Sequence, residues 1–435
     1  MFKKLYRALV IAFIGLSIIG WSYNSSWLGN WLGSWLGARN NSTYSQLPSS
    51  LTFFKDYQNT NNLIGDYSLG SPIATFTRAT DATHPATYVD ANGVIQLVTT
   101  ADVPRFAGGY YDATGFNSAK GLYMEAAGTN LVPKSYTMND ATWTATNVTV
   151  ADGAITDVAG GSNAASLTAS AANGTVLLTT NVTAQTYSVY IKRKTGTGKI
   201  YLTANGGTNY TEITVPATGW AKFSETRASA SQKCGIKIET DTDAIYVYGN
   251  QFEANLYPTS FIPTTTAALT RNAEVLKYAI AGNRTAATET IAIKFMPLGG
   301  SFATGQDARV LSTTDTKGRE LSKPSIFDNT IRFYPNATDS SGSVATMTTT
   351  PLVNTSYIVT GVAYGATAGT NVEIYLDGVS EATSSTNYTA PAWGTYFYIG
   401  NSSGSYQLNG LIQSVAIFSR ALSAGEVASV YNTIK

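Results

Sequence analysis

Short runs of alternating apolar and polar residues dominate the chain from about residue 74 onward. Residues 187–191 (YSVYI) and 245–248 (IYVY) show the period of two that is typical of half-buried β-strands. Glycine and asparagine separate such runs throughout residues 132–265, and no long helical pattern interrupts them. Evenly spaced short strands of this kind favour a β-sandwich or jelly roll for this part of the chain.

The strand-like pattern continues through residues 270–435, for example in the run YIVTGVA at 357–363. The pair Asp377-Gly378 predicts a hairpin turn. Ser423 followed three residues later by Glu426 is a capping-box motif, which predicts a short helix at the end of the chain. The sequence therefore predicts a mainly β protein.

Residues 71–131 contain shorter strand-like runs. The sequence TYV leads into DANG and then VIQLV at residues 87–98, which predicts a β-hairpin. Arg78, Arg105 and Glu125 are the notable charges of this stretch. We expect them to form structural ion pairs or to bind backbone groups rather than to act in catalysis.

The first 37 residues have a different composition from the rest. Three basic residues precede the apolar run 8–21, which at fourteen residues is short for a transmembrane helix. A tetrad ending in Trp-Leu-Gly then occurs three times, and it spaces these residues by four: Trp27, Trp31, Trp35, Gly29, Gly33 and Gly37. In a helix, the glycines would allow close helix approach and the tryptophans would suit an interface.

We therefore interpret residues 1–37 as a hydrophobic, helical anchor, and residues 38–70 as a polar linker. A protein-docking segment, a membrane anchor or cleaved signal, and meaningless low complexity all remain open for the anchor.

Composition excludes several classes of function. Charged residues are only 13% of the chain and the formal net charge is +1, so no broad attraction to nucleic acid is expected. Cys234 is the only cysteine, which rules out an intramolecular disulfide and disfavours a cysteine-based zinc site. His84 is the only histidine, which removes multi-histidine metal sites and, unless His84 itself serves, a Ser-His-Asp triad.

The succession FTRAT, ATYVDANGVI, VPRF and GLYMEAAGTNL within residues 71–131 resembles a module of structural proteins of tailed bacteriophages and prophages. There, an arginine-containing strand, a YVD-x-x-G hairpin, a PRF element and a G-x-x-x-E-x-x-x-T-N-L strand occur in this order. The Trp-Leu-Gly tetrads also resemble short Trp-Gly repeats of phage virion proteins. The resemblance implies a virion component rather than a reaction.

Two further resemblances concern the predicted sandwiches. The runs TYSVYIKRKTG, GWAKFSETR and IYVYGNQFEANLYPTSFIPTT within residues 132–265 are similar to a carbohydrate-binding-module-like jelly roll. The last forty residues, with YIGN and LNGLIQSVAIFSRALSAGEVASVYN, resemble concanavalin A-like (laminin G-like) domains, which places such a domain at 270–435. The expected fold is thus two antiparallel β-sandwich (jelly-roll) domains, preceded by a small β-hairpin module and the hydrophobic anchor.

The enzymatic relatives of the concanavalin A-like fold carry E-x-D-x-x-E or E-x-D-x-E on one strand. Here Glu373 is followed by Tyr375 where the aspartate should be, and Asp377 belongs to the turn. Because retaining glycosidases need two carboxyl groups about 5 Å apart, hydrolysis is disfavoured. We expect no catalytic residue and no enzymatic activity.

Candidate glycan-binding side chains are aromatic or amide residues on the predicted outer faces of strands or beside them. They are Trp393, Tyr396, Tyr398, Asn401, Tyr406, Tyr246 and Tyr248. Asp241 and Asp243 are candidate Ca²⁺ ligands in a predicted hairpin tip. For each group, an ordinary structural role is the alternative.

The leading functional hypothesis is a non-enzymatic structural protein of a tailed-phage virion, of the fibre, spike or decoration type. Its N-terminal segment would bind other virion proteins, and its sandwiches would contact host-surface glycans or neighbouring subunits. A homotrimer is conceivable, although no heptad pattern supports it. A membrane-anchored bacterial surface adhesin is the alternative, and a polysaccharide hydrolase or lyase is a third class.

Overall fold

In a computed structural model, the chain folds into two pairs of β-sheets and a further two-stranded sheet. The structure describes residues 46–79, 84–227, 232–285, 288–299, 307–313, 319–323, 330–336, 343–365, 369–391 and 394–435. The residues from Gln46 to Lys435 form one compact unit. The predicted anchor and its tryptophans and glycines lie outside the described residues. Within the described ranges, no helix combines the length and the hydropathy needed to span a membrane.

The strands before residue 131 are β1 (Leu51–Asp56), β2 (Tyr67–Ser68), β3 (Ala74–Thr77), β4 (Ala86–Val89), β5 (Ile95–Val98), β6 (Phe106–Asp112), β7 (Gly115–Met124) and β8 (Gly128–Asn130). The middle of the chain contributes β9 (Trp143–Thr146), β10 (Val148–Ile155), β11 (Ala164–Ala169), β12 (Gly174–Leu178), β13 (Thr186–Thr195), β14 (Ile200–Thr203), β15 (Thr211–Ile213), β16 (Ala221–Thr226), β17 (Gly235–Ile238) and β18 (Ala244–Glu253).

The remaining strands are β19 (Leu269–Arg271), β20 (Val275–Ala279), β21 (Glu289–Pro297), β22 (Ala308–Thr313), β23 (Glu320–Lys323), β24 (Arg332–Tyr334), β25 (Ala345–Thr346), β26 (Tyr357–Ala363), β27 (Val372–Leu376), β28 (Val379–Ser384), β29 (Tyr396–Ile399) and β30 (Gly410–Phe418). Helix α1 (Ala424–Ile434) follows them.

The middle sandwich consists of two five-stranded antiparallel sheets, β10-β11-β18-β13-β16 and β15-β14-β17-β12-β9. Its core is formed by the inward-facing residues of both sheets, such as Val189, Val247 and Ile236. These are the apolar positions of the alternating runs, because successive strand residues point to opposite faces. The predicted β-sandwich within residues 132–265 is confirmed.

The large sandwich consists of an eleven-stranded and a seven-stranded sheet. The first has the order β28-β27-β26-β21-β30-β7-β6-β4-β5, with β1 beside β30 and β2 beside β1. The second has the order β25-β24-β23-β22-β29-β20-β3. Ile293 and Ile417 of the first sheet and Phe397 and Ile399 of the second are fully buried in the core between them. The mainly β fold class is therefore confirmed.

Local predictions near the end of the chain are also confirmed. Asp377 and Gly378 both have positive φ, 49° and 81°, and connect β27 to β28. Ser423 caps α1, and both hydrogen bonds of the capping box with Glu426 are present. The α1 residues Val427 and Val430 are buried.

The range predicted as a polar linker contains a buried strand, which corrects that interpretation. All six residues of β1 are buried, and β1 pairs antiparallel with β30. Phe53 packs against Tyr278 and Phe397, with ring centroids 4.8 and 5.4 Å apart. The polar composition around it hid a short apolar segment (LTFF) that completes the large sandwich.

Residues 71–131 do not form a separate sheet. The predicted hairpin of β4 and β5 is present, with Val89 opposite Ile95. However, β3 pairs with β20, β7 pairs with β30 and β8 pairs with β19. This stretch therefore supplies strands to the large sandwich, while the domain boundaries drawn from the sequence stay a prediction.

We expect Phe53→Ala to destabilise the protein by about 3–5 kcal/mol, because it leaves a cavity in a closed aromatic cluster. Urea unfolding monitored by tyrosine and tryptophan fluorescence measures the change. Leu69→Ala is the matched control, since Leu69 lies in the same part of the chain but is 63% exposed. Equal unfolding midpoints for the two variants would contradict the place of β1 in the core.

Candidate functional site

A cleft of about 890 Å³ lies between the large and the middle sandwich. Strands β4 and β6 line it from the large sandwich, and β15 and β16 line it from the middle sandwich. The loop 256–261 also contributes. Six tyrosines line this tyrosine cleft: Tyr88, Tyr110 and Tyr111 are half-buried, and Tyr123, Tyr190 and Tyr257 are buried.

The neighbouring tyrosines of β6 are held differently. Tyr111 packs edge-to-face on Tyr190, with ring centroids 5.6 Å apart, and its hydroxyl donates to the carbonyl of Gly93 at 2.8 Å. The Tyr110 hydroxyl makes only a long hydrogen bond, 3.4 Å, to the carbonyl of Asn354. Tyr110 is thus the less constrained ring and the better candidate for contact with a ligand.

Two glycines allow the wall of β4 and β6 to form. A Cβ atom on Gly108 would lie 2.2 Å from the backbone nitrogen of Ala91. One on Gly109 would lie 2.3 Å from the ring of Phe116. A larger side chain at position 108 would push the turn after β4 away from β6, and one at position 109 would displace Phe116 of β7. The two glycines therefore set the position of the tyrosines that follow them.

Arg105 lies behind the floor of the cleft. It is fully buried, and its Nε and Nη2 donate to Glu274 at 2.7 and 2.8 Å. Nη2 also donates to Glu125 at 2.8 Å, and Nη1 donates to Thr87 O and Ser260 Oγ at 2.6 and 2.7 Å. The expected structural ion pairing of this arginine is confirmed.

Two further arginines share the same carboxylates. Arg78 Nη1 donates to Glu274 Oε1 at 2.6 Å. Arg271 Nη1 lies 3.3 Å from Glu125 Oε2. We call Arg78, Arg105, Glu125, Arg271 and Glu274 the floor network. Of these five, Glu125 lines the cleft.

The arginines keep both glutamates ionised. Burial raises the pKa of Glu125, but the charges of Arg271 and Arg105 and a hydrogen bond from Ser260 outweigh it and lower the pKa to about 2. Burial likewise opposes ionisation of Glu274, and Arg105 and Arg78 outweigh it, so its pKa is also lowered. Neither carboxylate holds a proton at neutral pH, so neither is suited to act as a general acid.

Lys222 of β16 brings an ammonium group into the cleft. Its Nζ donates to the carbonyl of Thr259 at 2.8 Å and lies 5.6 Å from the ring centre of Tyr190. Burial lowers the pKa of Lys222, while Glu253 and Glu125 act against this. The lysine therefore provides N–H donors beside aromatic surface, an arrangement that can bind an oxygen of a ligand.

Acidic side chains lie at the rim. Glu212 is exposed and pairs with Lys199 at 2.9 Å. Asp112 accepts hydrogen bonds from the backbone nitrogen and hydroxyl of Thr114 at 2.8 and 2.6 Å. Since these charges are in contact with water, salt screens them more strongly than the charges of the floor.

Half-buried aromatic side chains continue from the rim onto the middle sandwich. Tyr201 lies opposite both Glu212 and Lys237 in neighbouring strands, so the three side chains share a face of the sheet. Lys237 Nζ lies 4.0 Å from the ring centre of Tyr201 and 4.8 Å from that of Tyr210. Sequence analysis did not single out these residues.

Tyr248 does not provide the exposed surface predicted for it. It does share a face with Tyr246, as alternation predicts, but it is only 2% exposed. The hairpin of β4 and β5 and the ring of Phe261 cover it, the latter at a centroid distance of 5.5 Å. Tyr246 is half-buried, with Lys194 Nζ 5.6 Å from its ring centre. The prediction that Tyr248 stacks on a sugar is therefore wrong.

The predicted group around Tyr398 is also partly buried. Tyr398 is 5% exposed and Asn401 is fully buried. Asn401 Nδ2 donates to the carbonyl of Ile399 at 3.0 Å, and its Oδ1 accepts from Gly404 N at 3.2 Å. Asn401 thus stabilises the turn after β29, and neither residue is available to a glycan.

The other members of this group remain candidates. Tyr406 is 49% exposed, and the Arg309 guanidinium lies 5.2 Å from its ring centre. Tyr396 is half-buried beneath Lys277 Nζ at 4.2 Å. Trp393 lies outside the described residues.

The predicted Ca²⁺ ligands are not arranged as a cation site. Asp243 is buried, accepts a hydrogen bond from Gly198 N at 2.6 Å and lies 3.7 Å from Arg193 Nη1. Asp241 is exposed. In the part of the chain that the structure describes, no cluster of three or more His, Cys, Asp or Glu side chains is placed to hold a metal ion. Asp243 instead supports the glycine-containing turn after β13.

The tyrosine cleft escaped sequence analysis because its walls come from distant strands. β4 and β6 precede β16 by more than a hundred residues, and they belong to a different sheet from β16. The run GGYY at residues 108–111 was the available signal, since paired glycines before paired tyrosines indicate close backbone approach beside aromatic surface.

Residues 283–428 match the family model of the concanavalin A-like lectin/glucanases superfamily. This part of the chain is similar to a concanavalin A-like domain, in agreement with the resemblance noted for the C-terminal region. The match begins after β20, so β1, β3, β7 and β20 of the large sandwich lie outside it. No curated protein matches the sequence.

Several solved structures are similar over part of the chain. One is of botulinum neurotoxin type C, whose cell entry depends on ganglioside interaction (12% identity, TM-score 0.29, 38% of this chain and 41% of that one). Another is domain 4 of the Geobacillus stearothermophilus arabinanase AbnA with arabinotriose (12% identity, TM-score 0.28, 37% of this chain and 73% of that one). A third is the Ruminococcus gnavus sialidase CBM40 with sialyllactose (16% identity, TM-score 0.29, 36% of this chain and 91% of that one). TM-scores this low support no conclusion about function.

We expect Glu125→Gln to destabilise the protein at neutral pH by on the order of 3 kcal/mol, because it leaves two buried arginines short of a charge. The folded pKa of Glu125, about 2, lies below the ordinary value of 4.5, so its stabilising effect is present above pH 4.5 and is lost as the pH falls towards 2. The difference from wild type should therefore shrink over that range, as measured by urea midpoints. Glu212→Gln, at an exposed position, should differ little in stability from wild type at any pH. A loss of stability in Glu125→Gln that is the same at every pH would contradict the conclusion that Glu125 is ionised.

Proposed function

We propose that this protein binds glycan chains in the tyrosine cleft. The observation that carries the proposal is the cleft itself, a space of about 890 Å³ lined by six tyrosines with Lys222 and backbone groups among them. Aromatic faces bind the apolar faces of sugar rings, and a few fixed polar groups orient the hydroxyls. The concanavalin A-like match of residues 283–428 supports a lectin-like role for the large sandwich.

Binding without cleavage is part of this proposal. In β27, Glu373 accepts hydrogen bonds from the hydroxyls of Tyr364 and Ser380 at 2.6 and 2.5 Å. Tyr375 occupies the position where the glucanase pattern needs an aspartate. In the cleft, Glu125 is kept ionised by two arginines. A glycosidase needs one protonated and one ionised carboxyl group facing the same bond, and these observations favour neither site for that chemistry.

The biological setting we propose is the virion of a tailed phage, with residues 1–37 as the attachment segment. The support is the resemblance of residues 71–131 to a phage structural module. Strands from this stretch line the cleft, so the same residues would connect the attachment segment to the binding surface.

The tyrosine cleft is tested by Tyr110→Ala. We expect about five- to tenfold weaker binding, because one stacking contact of about 1 kcal/mol is lost together with buried area. An array of bacterial surface polysaccharides identifies a bound glycan, and calorimetry compares the variants.

Tyr406→Ala separates the cleft from the site predicted around β29 and should bind as wild type does. Loss of binding in Tyr406→Ala but not in Tyr110→Ala would move the site to β29. Absence of binding to every glycan on the array would overturn the proposed function.

Deleting residues 1–37 tests whether this segment attaches the protein to a phage virion. We expect a folded protein that still binds glycan but no longer joins phage particles, as followed by sedimentation with particles. A truncated protein that still assembles would contradict the attachment role, and a full-length protein that pellets with host membranes without particles would support the membrane-anchored adhesin instead.

A further inference from the structure

Buried cations and carboxyl groups lie together at the floor of the tyrosine cleft. Besides the floor network, Lys222 and Glu253 interact with its members, since Glu253, Glu125 and Arg271 all act on the charge of Lys222. Among the described residues, four cations (Arg78, Arg105, Arg271 and Lys222) and three carboxyl groups (Glu125, Glu253 and Glu274) lie in this cluster. Burial also raises the pKa of Glu253, which disfavours the negatively charged form of this carboxyl group.

Arg271 is an incompletely paired cation of this cluster. Its side chain is fully buried. Within the described residues, none of its three guanidinium nitrogens has a hydrogen-bond partner. Its 3.3 Å contact with Glu125 is shared, because Arg105 donates to the same Oε2 atom at 2.8 Å. One carboxylate oxygen thus serves two arginines, and the positive charge behind the cleft is incompletely balanced. A buried charge in this state is costly unless a further anion approaches.

Lys222 is the cation of this cluster that lines the cleft. An ammonium group has three N–H donors, and the hydrogen bond to Thr259 O uses one of them. Its place beside the Tyr190 ring means that a sugar stacked in the cleft would bring its substituents within reach of this group. The rim carboxylates do not cancel it, because Glu212 is paired with Lys199 and exposed to water.

We infer that the glycan bound in the tyrosine cleft carries an acidic sugar, whose carboxylate pairs with the Lys222 ammonium group. This inference rests on the proposed glycan binding and adds its specificity. Since an ammonium–carboxylate contact in a partly dry cleft is a charge-assisted hydrogen bond, it discriminates against the uncharged sugar of the same shape.

The experiment uses the full chain and an array of neutral and uronic-acid-containing bacterial polysaccharides. Each acidic polysaccharide is printed in its native form and after chemical reduction of its carboxyl groups to alcohols. We expect native forms to bind about tenfold or more tightly than their reduced counterparts, corresponding to a charge-assisted contact. The preference should weaken with added salt.

Three variants assign the preference to one residue. Lys222→Gln should bind native and reduced forms equally, and Lys222→Arg should keep the preference because it keeps the charge. Lys194→Gln is the matched control, since Lys194 also lies on the middle sandwich with Nζ 5.6 Å from a tyrosine ring, that of Tyr246, outside the cleft. Circular dichroism and melting temperature establish that each variant is folded.

The possible failures are distinguishable. Equal binding of native and reduced forms by wild type, binding of neutral glycans alone, or a preference that survives Lys222→Gln would overturn the inference while glycan binding stands. No binding to either form or to neutral glycans would overturn the proposed function and the inference with it.

Discussion

A buried cluster of three arginines and two glutamates determines how the parts of this protein fit together. Every member stands at or next to the end of a strand: Arg78 after β3, Arg105 before β6, Glu125 after β7, Arg271 at the end of β19 and Glu274 before β20. The strands they follow or precede come from residues 74–124 and 269–279, which are far apart in sequence. Because each charge is removed from water, it is stable only while its partners are in place, so the cluster makes these five strand ends depend on one another.

The tyrosine cleft is a consequence of this junction. Glu125 accepts a hydrogen bond from Ser260 N at 2.9 Å, and Arg105 donates to Ser260 Oγ, so the network also holds the loop 256–261 that lines the cleft. On the other side, Gly108 and Gly109 let β6 carry its tyrosines close to β4. The binding surface we propose therefore belongs to neither sandwich alone.

Several features of this structure were predictable because they depend on neighbours in sequence. The alternating runs form strands, Asp377-Gly378 forms a turn with positive φ, and Ser423 caps α1. The few notable charges of residues 71–131 were predicted to form ion pairs, and Arg105 is indeed paired. By contrast, β1 was hidden in a polar segment, since an isolated apolar run of four residues has no periodicity from which its pairing with β30 could be read.

For the alternating runs, the sequence by itself determined that they form strands and which of their side chains share a face, because both follow from the two-residue period of the extended chain. It did not determine what covers each face. Alternation correctly placed Tyr248 on the face of its sheet that points away from the core of the middle sandwich. Tyr248 is nevertheless buried in a cluster with residues of β4 and β5, whereas Tyr110 lines a cleft. Only the tertiary structure decided this, because burial of an outer face depends on which distant strand packs there, and that is set by long-range pairing and buried charges rather than by local pattern.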